Sequence, residues 1–399
     1  MSGETARLCG SAAEIGAARW NALANPCGVA QPHPFTTFEF FHALEASGSA
    51  TARTGWQPIH LLLEAAPPPG ASAPDGGGGR STDLVRRAEG ALMPLYIKSH
   101  SQGEYVFDHA WADALERAGG DYYPKLQCAV PFTPVTGRRL FGDAKALLRT
   151  AGAAVRQLGA SSLHITFLEK EEWEAAGAAG LLLRTGQQFH WENRGYASFG
   201  EFLGELSSAK RKMLRKERAS VAAAGVTFDW LSGRDIREAH WDAFFDFYMD
   251  TGGRKWGTPY LTREFFSRLG EGLADQTLLV MAKKDGRHIA GALNLFGEGV
   301  LFGRNWGAAE YVPFLHFETC YYQAIDFAIA RGLKRVEAGA QGEHKLLRGY
   351  LPVPTYSAHL IAHPDLKQAV DRFLTAERAA VAENIAELSR YAPFRKGDT

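Results

Sequence analysis

Similar sequence segments occur in the same order in both halves of the chain. This repeat restricts the possible folds more than any other feature of the sequence. The first half passes through HLLLEA, GALMPL, EYVFDHAW, a helical pattern ending AVRQLGA and the strand pattern SLHITF. The second half passes through LLVMAK, GALNLF, VLFGRNWG, a helical pattern ending FAIARGL and the strand pattern KRVEAG. Gly-Ala-Leu falls at 90–92 and again at 291–293, at equivalent points of two predicted hairpins. The repeat predicts a duplicated α/β unit, and the alternative is a chance likeness between two hairpins of a common kind.

Each half shows several strands, then a helix, then a further strand, an order that is similar to that of a GNAT-type acyltransferase domain. We therefore expect a mixed α/β (α+β) fold of two tandem GNAT-like domains, at 1–195 and 196–399. Each domain should have a mixed, mostly antiparallel sheet flanked by helices. Residues 65–90 are dominated by Gly, Pro and Ser, and this composition predicts a disordered surface insertion in the first domain.

Charge and cysteine content exclude several classes of protein. The chain has 44 basic and 44 acidic side chains, which removes the simplest case for a nucleic-acid-binding surface. No apolar run reaches the roughly 18 residues that span a bilayer, and the first residues lack a secretory pattern. The four cysteines stand apart, without the paired spacing of a metal site or a disulfide framework. We expect a cytoplasmic protein, with peripheral contact to the inner membrane as a further option.

His316 and Glu318 are the first pair of catalytic candidates. They lie two positions apart at the entrance of a predicted helix, so both would point to one face if 315–317 were extended. Glu318 would then orient His316, and the imidazole would deprotonate an amine near neutral pH. The alternative is structural: Glu318 serves the helix N-terminus and His316 is a buried polar neighbour.

A second group of candidates follows the strand pattern KRVEAG. Gly339 and Gly342 allow the backbone to approach a ligand. His344 could act as a base or a leaving-group acid, and Glu343 beside it is a further catalytic candidate. Lys345 and Arg348 could hold phosphate. The alternative is an ordinary loop of solvated polar residues. Although these side chains are of metal-ligand types, no HxxxH or CxxC spacing among them supports a metal site, and we expect no metal.

The segment KRKMLRKER at 210–218 has six basic residues in nine positions. On a helix, Arg211, Arg215 and Arg218 share one face, which suits a pyrophosphate, an acidic carrier protein, tRNA or anionic lipid head groups. The alternative is a solvated helix face. Lys255 and Trp256 belong to a second basic cluster, in which the aromatic ring could stack or line an acyl channel.

Long stretches of the chain resemble the FemAB-like predicted N-acyltransferases of bacteria, often labelled peptidoglycan biosynthesis or recognition proteins. The matching segments include PLYIKSHSQGEYVFDHAW, DYYPKLQCAVPFTPVTGRRL, FYMDTGGRKWGTPYLTREFF, PFLHFETCYYQAID and VEAGAQGEHKLLRGYLP, so the resemblance covers essentially the whole chain. The family is similar to the tandem GNAT-fold Fem transferases, which attach amino acids to peptidoglycan precursors. The RxxGxG/A loop of ordinary acetyl-CoA GNAT enzymes has no clear copy here, which puts acetyl-CoA in doubt as the donor.

The resemblance implies an N-acyltransferase that moves an acyl group from acyl-CoA or an acyl carrier protein to an amine acceptor. Some bacterial sphingoid-base N-acyltransferases resemble the same group, so a sphingoid base or another lipid amine is one expected acceptor. No tightly bound cofactor is expected, because the acyl donor is a co-substrate. The alternatives are a Fem-type transferase that uses aminoacyl-tRNA, with tRNA as the one nucleic-acid partner, and a non-catalytic module that binds the cell envelope.

Overall fold

The computed structural model of the chain describes residues 5–64, 90–255, 259–339 and 342–395, with the backbone alone at 254 and 255. The predicted insertion at 65–90 lies, apart from Gly90, outside the described residues. None of the described helices combines the length and the apolar character that crossing a bilayer requires.

The strands of the described ranges are β1 (Thr5–Cys9), β2 (Trp56–Pro58), β3 (His60–Glu64), β4 (Ala91–Met93), β5 (Tyr96–Lys98), β6 (Lys125–Cys128), β7 (Ser162–Leu168), β8 (Leu182–Glu192), β9 (Thr227–Ser232), β10 (Thr277–Lys284), β11 (Arg287–Gly297), β12 (Val300–Ala308), β13 (Arg335–Glu337) and β14 (Leu351–Ile361).

The α-helices of the same ranges are α1 (Ala12–Ile15), α2 (Ala17–Ala24), α3 (Phe38–Ala46), α4 (His109–Arg117), α5 (Ala144–Gln157), α6 (Lys170–Ala178), α7 (Phe199–Glu205), α8 (Ser208–Ala223), α9 (Glu238–Lys255), α10 (Arg263–Gly272), α11 (Leu315–Phe317), α12 (Gln323–Ala330) and α13 (Pro364–Arg390). A π-helical turn, Glu318–Tyr322, joins α11 to α12, and a 3-10 turn covers Glu343–Arg348.

Within the described residues, eleven strands form one sheet in the order β2-β5-β6-β7-β14-β8-β13-β12-β11-β10-β9. The pairs β6–β7 and β12–β13 are parallel, and every other neighbouring pair is antiparallel. A smaller sheet has the order β1-β3-β4. Two-residue turns at Asp285–Gly286 and Glu298–Gly299, with positive φ at all four residues, produce the antiparallel run from β10 to β12. The predicted class, a mixed and mostly antiparallel α/β fold flanked by helices, is confirmed.

The two halves of the chain exchange their last strands. The first half has the order β6–α5–β7–α6–β8, and the second half has β12–α12–β13–3-10 turn–β14. β14 inserts between β7 and β8, while β8 pairs with β13. Both halves therefore contribute strands to one sheet and meet at the β8–β14 pair. This strand order does not test the predicted division into domains at 1–195 and 196–399, which stays a prediction.

Helices cover both faces of the second half of the sheet. Leu278 and Val280 of β10 pack in the same core as α12, whereas Leu279 and Met281 face the aromatic side chains of α3, α9 and α10. Because both faces of β10 are covered, its sequence is a continuous apolar run rather than an alternating one. This packing fixes β11 and β12 in place and positions the cleft described next.

Candidate active site where β12 and β13 part

The candidate site is a cleft between two parallel strands that pair over three residues only. Val300–Phe302 of β12 pairs with β13, after which β12 continues beside β11 to Ala308. Gly303 lies opposite Asn294 and Asn305 opposite Leu293, so Arg304 is an extra residue in β12. Such a bulge takes a backbone N–H out of the regular ladder and is common next to active sites. The strand that borders the cleft therefore has an irregular backbone at Arg304.

The predicted pairing of His316 with Glu318 is wrong, because the backbone at this point is helical rather than extended. His316 lies in α11 and Glu318 begins the π-helical turn. Residues two apart on a helix are about 200° apart around its axis, so the two side chains point to different sides. The buried Glu318 Oε1 accepts hydrogen bonds from Arg218 Nη2 at 2.9 Å and Gln323 Nε2 at 2.8 Å. Glu318 thus anchors α8 and does not orient the imidazole.

His316 lies beside His344, so the structure brings these two candidates together. Their ring centroids are 6.4 Å apart, and the Tyr321 ring lies 5.4 Å from that of His316. The Tyr321 hydroxyl and His344 Nε2 form a hydrogen bond of 2.9 Å. Partial burial, followed by the charges of Arg348 and Lys345, lowers the pKa of His344, so its imidazole is neutral at pH 7.

The glycine at 342 is required by the position of His344. Gly342 has a φ of 113°, and a Cβ placed there would lie 2.4 Å from His344 Cε1. Only glycine satisfies both conditions without displacing the imidazole. Gly339 also has a positive φ, and its carbonyl oxygen accepts a hydrogen bond of 2.9 Å from Lys345 Nζ. Glu343, the neighbouring candidate, is exposed at the start of the 3-10 turn.

Arg348 is held within the protein rather than open to a phosphate. Its Nη2 donates to Glu217 Oε1 at 2.8 Å, its Nε to the Tyr322 hydroxyl at 3.1 Å and its Nη1 to the His344 carbonyl at 2.8 Å. The guanidinium also lies 3.5 Å from the centre of the Phe317 ring. Arg348 therefore ties α8 to the backbone of His344 and supports the site from behind.

Lys345 is a buried cation in the wall of the cleft. Its side chain is 2% exposed, and burial lowers its pKa to about 8. After burial and the charge of Arg335, the charge of Lys345 also lowers the pKa of His190. A buried ammonium is a rare group, retained where it has a structural or chemical role.

Glu337 is the residue that the sequence did not single out. It ends β13 where the strands part, and the residue is 5% exposed. Among the described residues, its Oε2 has no hydrogen-bond partner. Burial raises the pKa of Glu337 to about 7 despite the nearby charge of Arg335. The signal available in the sequence was a carboxylate at the end of a short strand, immediately before Ala338 and Gly339.

α8 presents a basic face to solvent, but Arg218, one of the three residues predicted for it, is not part of that face. Arg218 turns inward and binds Glu318 at 2.9 Å and Asp326 at 2.7 Å. Four other basic side chains of α8 are exposed or half-buried and form no ion pair with any described residue. We call these four residues the basic face: Arg211, Lys212, Arg215 and Lys216.

Two further candidates cannot be placed. Trp256 lies outside the described residues, and so does the side chain of Lys255, so their predicted donor-binding role stays a prediction. In the described ranges, no group of three or more His, Cys, Asp or Glu side chains is arranged to hold a metal ion.

Comparisons with known proteins agree with this architecture. The family model FemAB-like, described as peptidoglycan biosynthesis/recognition, matches residues 11–396. Among curated proteins no match is found. FemX aligns with a TM-score of 0.50 and 12% identity, over 88% of this chain and 98% of FemX. The C-terminal domain of a putative lysylphosphatidylglycerol synthetase from Agrobacterium fabrum aligns with a TM-score of 0.50 and 11% identity, over 90% and 96%. A tandem GNAT protein from the clavulanic acid biosynthesis pathway gives a TM-score of 0.43 and 10% identity, over 90% and 99%. At these identities the first two likenesses show the fold alone.

Proposed function

We propose that this chain, which belongs to the FemAB-like family of peptidoglycan biosynthesis or recognition proteins, transfers an acyl group from an activated donor to an amine. The observation that carries the proposal is the buried carboxylate of Glu337 at the point where β12 and β13 part. Amide formation needs a base that is half-ionised near neutral pH, and a pKa of about 7 meets that need. A carboxylate of this kind in a cleft is a mark of a functional site.

Two different groups carry out the two proton transfers of the proposed reaction. Glu337 takes a proton from the attacking amine as the new C–N bond forms. We assign to a backbone N–H of the bulge at Arg304 the hydrogen bond that stabilises the carbonyl oxygen as negative charge develops on it. When the bond to the leaving sulfur or oxygen breaks, that atom receives a proton from the Tyr321–His344 pair. Burial raises the pKa of Tyr321, so its hydroxyl holds a proton at neutral pH.

The basic face of α8 supports a donor that carries a negatively charged group such as phosphate. Arg348 is neutralised by Glu217, and Lys345 is held by the Gly339 carbonyl, which leaves the exposed cations of α8 as the open partners for phosphate. Both acyl-CoA and an acyl carrier protein carry phosphate on the arm that bears the thioester. We propose one of these as the donor, and a lipid amine such as a sphingoid base as the first acceptor to test.

One experiment tests the class of reaction. The purified full chain is incubated with acyl-CoA of several chain lengths and a panel of amines, and release of free thiol is followed with a thiol reagent. We expect amine-dependent release that disappears in Glu337→Gln. The same assay is then run with an acyl carrier protein as the donor, and if neither donor is consumed with any amine, the proposed donor is wrong.

The Fem-type alternative shares the same basic face and is tested in parallel. Binding to aminoacyl-tRNA at about 50 mM salt, where phosphate contacts are strongest, followed by transfer to an amine would establish it. If no donor of either kind is consumed, the remaining explanation is a non-catalytic module that binds the envelope.

A further inference from the structure

A cavity of about 230 Å³ lies on the sheet at the seam where the two halves exchange strands. Its floor is made by β8 and β14, one wall by the loop before α4, and the opposite wall by α13. The cavity is separate from the candidate active site, and none of the residues predicted from sequence lines it. Its lining residues include Tyr105, Phe107, Gln188, Thr355, Ser357 and Val381.

The floor of the cavity is polar without being charged. Gln188, Thr355 and Ser357 are 2%, 6% and 5% exposed, so these hydrogen-bonding side chains are buried. The two charged groups at the rim cancel: Arg184 Nε and Nη2 bind the two carboxylate oxygens of Glu377 at 2.8 and 2.7 Å. A ligand that fits this floor presents uncharged hydroxyl or amide groups.

The two faces of β14 differ in polarity. On the polar side, Gln188 Nε2 donates to the Pro134 carbonyl at 2.6 Å and Ser357 Oγ accepts from the Phe167 N–H at 3.4 Å. Tyr356 and Ala358 point into the apolar core with α5 and α6, whereas Thr355 and Ser357 alternate toward the cavity. Burying hydroxyl and amide groups costs free energy unless they are hydrogen-bonded. A buried but polar sheet face beside an open cavity is therefore typical of a binding floor.

Strained backbone borders the cavity on two sides. Tyr105 and Phe167 have φ values of 59° and 58°, in the left-handed region that bulky residues rarely adopt. Phe167 is the extra residue of a bulge in β7, opposite Tyr356 and Ser357 of β14. Strain of this kind persists only where the surroundings hold it, and it clusters at ligand sites.

The cavity and the active-site cleft share one face of the sheet. Gln188 and His190 are two residues apart on β8, so they point to the same side, and His190 pairs with Glu337 of β13. His190 Nε2 lies 3.4 Å from Gln188 Oε1 and 3.7 Å from Glu337 Oε2. One imidazole thus separates the floor of the cavity from the proposed base.

We infer that this cavity binds the head group of the acceptor. The head group is uncharged and rich in hydroxyl or amide groups, packs against Tyr105 and Phe107, and is oriented by Gln188, Thr355 and Ser357. Its amine then extends along β8 past His190 to Glu337. The role as acceptor site rests on the proposed function, whereas the binding of such a ligand does not.

The test measures binding in the absence of any donor. Saturation-transfer NMR on the full chain uses N-acetylglucosamine as a probe for a glycan head, 2-amino-1,3-propanediol as a probe for a lipid-amine head, and butylamine as a probe without hydroxyls. We expect saturation of one hydroxyl-bearing probe and none of butylamine. Which of the two probes binds distinguishes a glycan from a lipid source.

Matched variants locate the binding. Val381→Trp fills the cavity from α13 and should abolish binding, while Ala382→Trp, on the exposed side of the same helix, should not. Thr355→Val keeps the side-chain shape and should weaken binding about fivefold to tenfold, the usual effect of one lost hydrogen bond. Unfolding midpoints confirm that each variant is folded.

The outcomes separate this inference from the proposed function. No binding of either hydroxyl-bearing probe, or unchanged binding in Val381→Trp, overturns the inference even if thiol release is observed. Binding that is lost in Val381→Trp supports the inference, and if no donor is then consumed the proposed transferase activity alone is wrong.

Discussion

His190 Nε2 and Glu337 Oε2 lie 3.7 Å apart on the buried face where β8 pairs with β13. Both groups are shifted toward their neutral forms: burial lowers the pKa of His190 to about 3 and raises that of Glu337 to about 7. The imidazole therefore stays uncharged across the pH range in which the carboxyl group titrates, and it does not form an ion pair with Glu337. The charge state of this contact depends on one proton, that of Glu337.

The pH dependence of turnover should report that proton. A base works only when ionised, so kcat/KM should rise about tenfold per pH unit below pH 7 and level off above it. Glu337→Gln should lower turnover by ~10²–10⁴ and remove this limb of the profile. Initial rates between pH 5 and 9 provide the measurement, and an unchanged limb in the variant would assign it to another group.

The free energy of unfolding should fall with rising pH, whereas turnover should rise, because both depend on the proton of Glu337. The pKa of Glu337 is raised from 4.5 to about 7, so the folded state holds this proton more tightly than the unfolded state. The stabilisation is complete below about pH 4.5 and is lost as the pH rises to 7. Relative to Glu337→Gln, the wild-type free energy of unfolding should therefore fall by up to ~3 kcal/mol over this window. Urea titrations of both proteins at several pH values measure the difference.

His344 and Tyr321 should act as one unit. His344→Ala should lower turnover by ~10²–10⁴ with the fold intact, because a proton donor to the leaving group is lost. Tyr321→Phe removes the 2.9 Å hydrogen bond, and its effect should be much smaller in a His344→Ala background than in the wild type. His316→Ala tests the alternative drawn from the sequence, in which this imidazole rather than Glu337 is the base: a loss of ~10²–10⁴ in turnover would favour His316 over Glu337. Effects that add fully for Tyr321 and His344 would show that the two act separately.

The Glu217–Arg348 pair should be a stability element. Arg348→Met leaves the Glu217 carboxylate buried without its cation, and such a loss costs about 3–5 kcal/mol. Arg215→Gln, on the exposed side of α8, should stay within about 0.5 kcal/mol of the wild type. Urea unfolding measures both, and a small effect of Arg348→Met would mean that the pair is open enough to bind phosphate.

The basic face of α8 should control donor affinity and not folding. Changing Arg211, Lys212, Arg215 and Lys216 to glutamine should raise the donor KM and flatten its salt dependence, since exposed charges contribute little to stability. Arg218 is left unchanged because its bonds to Glu318 and Asp326 hold α8 in place. Unchanged donor KM across a range of salt would leave the face with a role in solubility only.

The sequence was sufficient for features that depend on local order. The repeated segments predicted a mixed, mostly antiparallel sheet, and the glycines around His344 marked the turn beside the cleft. It was insufficient where a contact joins distant residues. The pairs Arg218–Glu318 and Arg348–Glu217 span 100 and 131 positions, so cations that looked free for a ligand are in fact internal. The burial of Glu337 likewise depends on β8, which arrives from the other half of the chain.

Because of the strand exchange, the sheet cannot be completed until late in the synthesis of the chain. β7 ends at Leu168, but β14, which must pair with it, begins at Leu351. At 5–20 residues per second, a ribosome needs roughly 10–40 s to make the intervening stretch. Throughout that interval the nascent first half exposes the backbone of β7, and an unpaired strand edge is a template for association with other chains. The protein should therefore mature as one late event and depend on chaperones during translation.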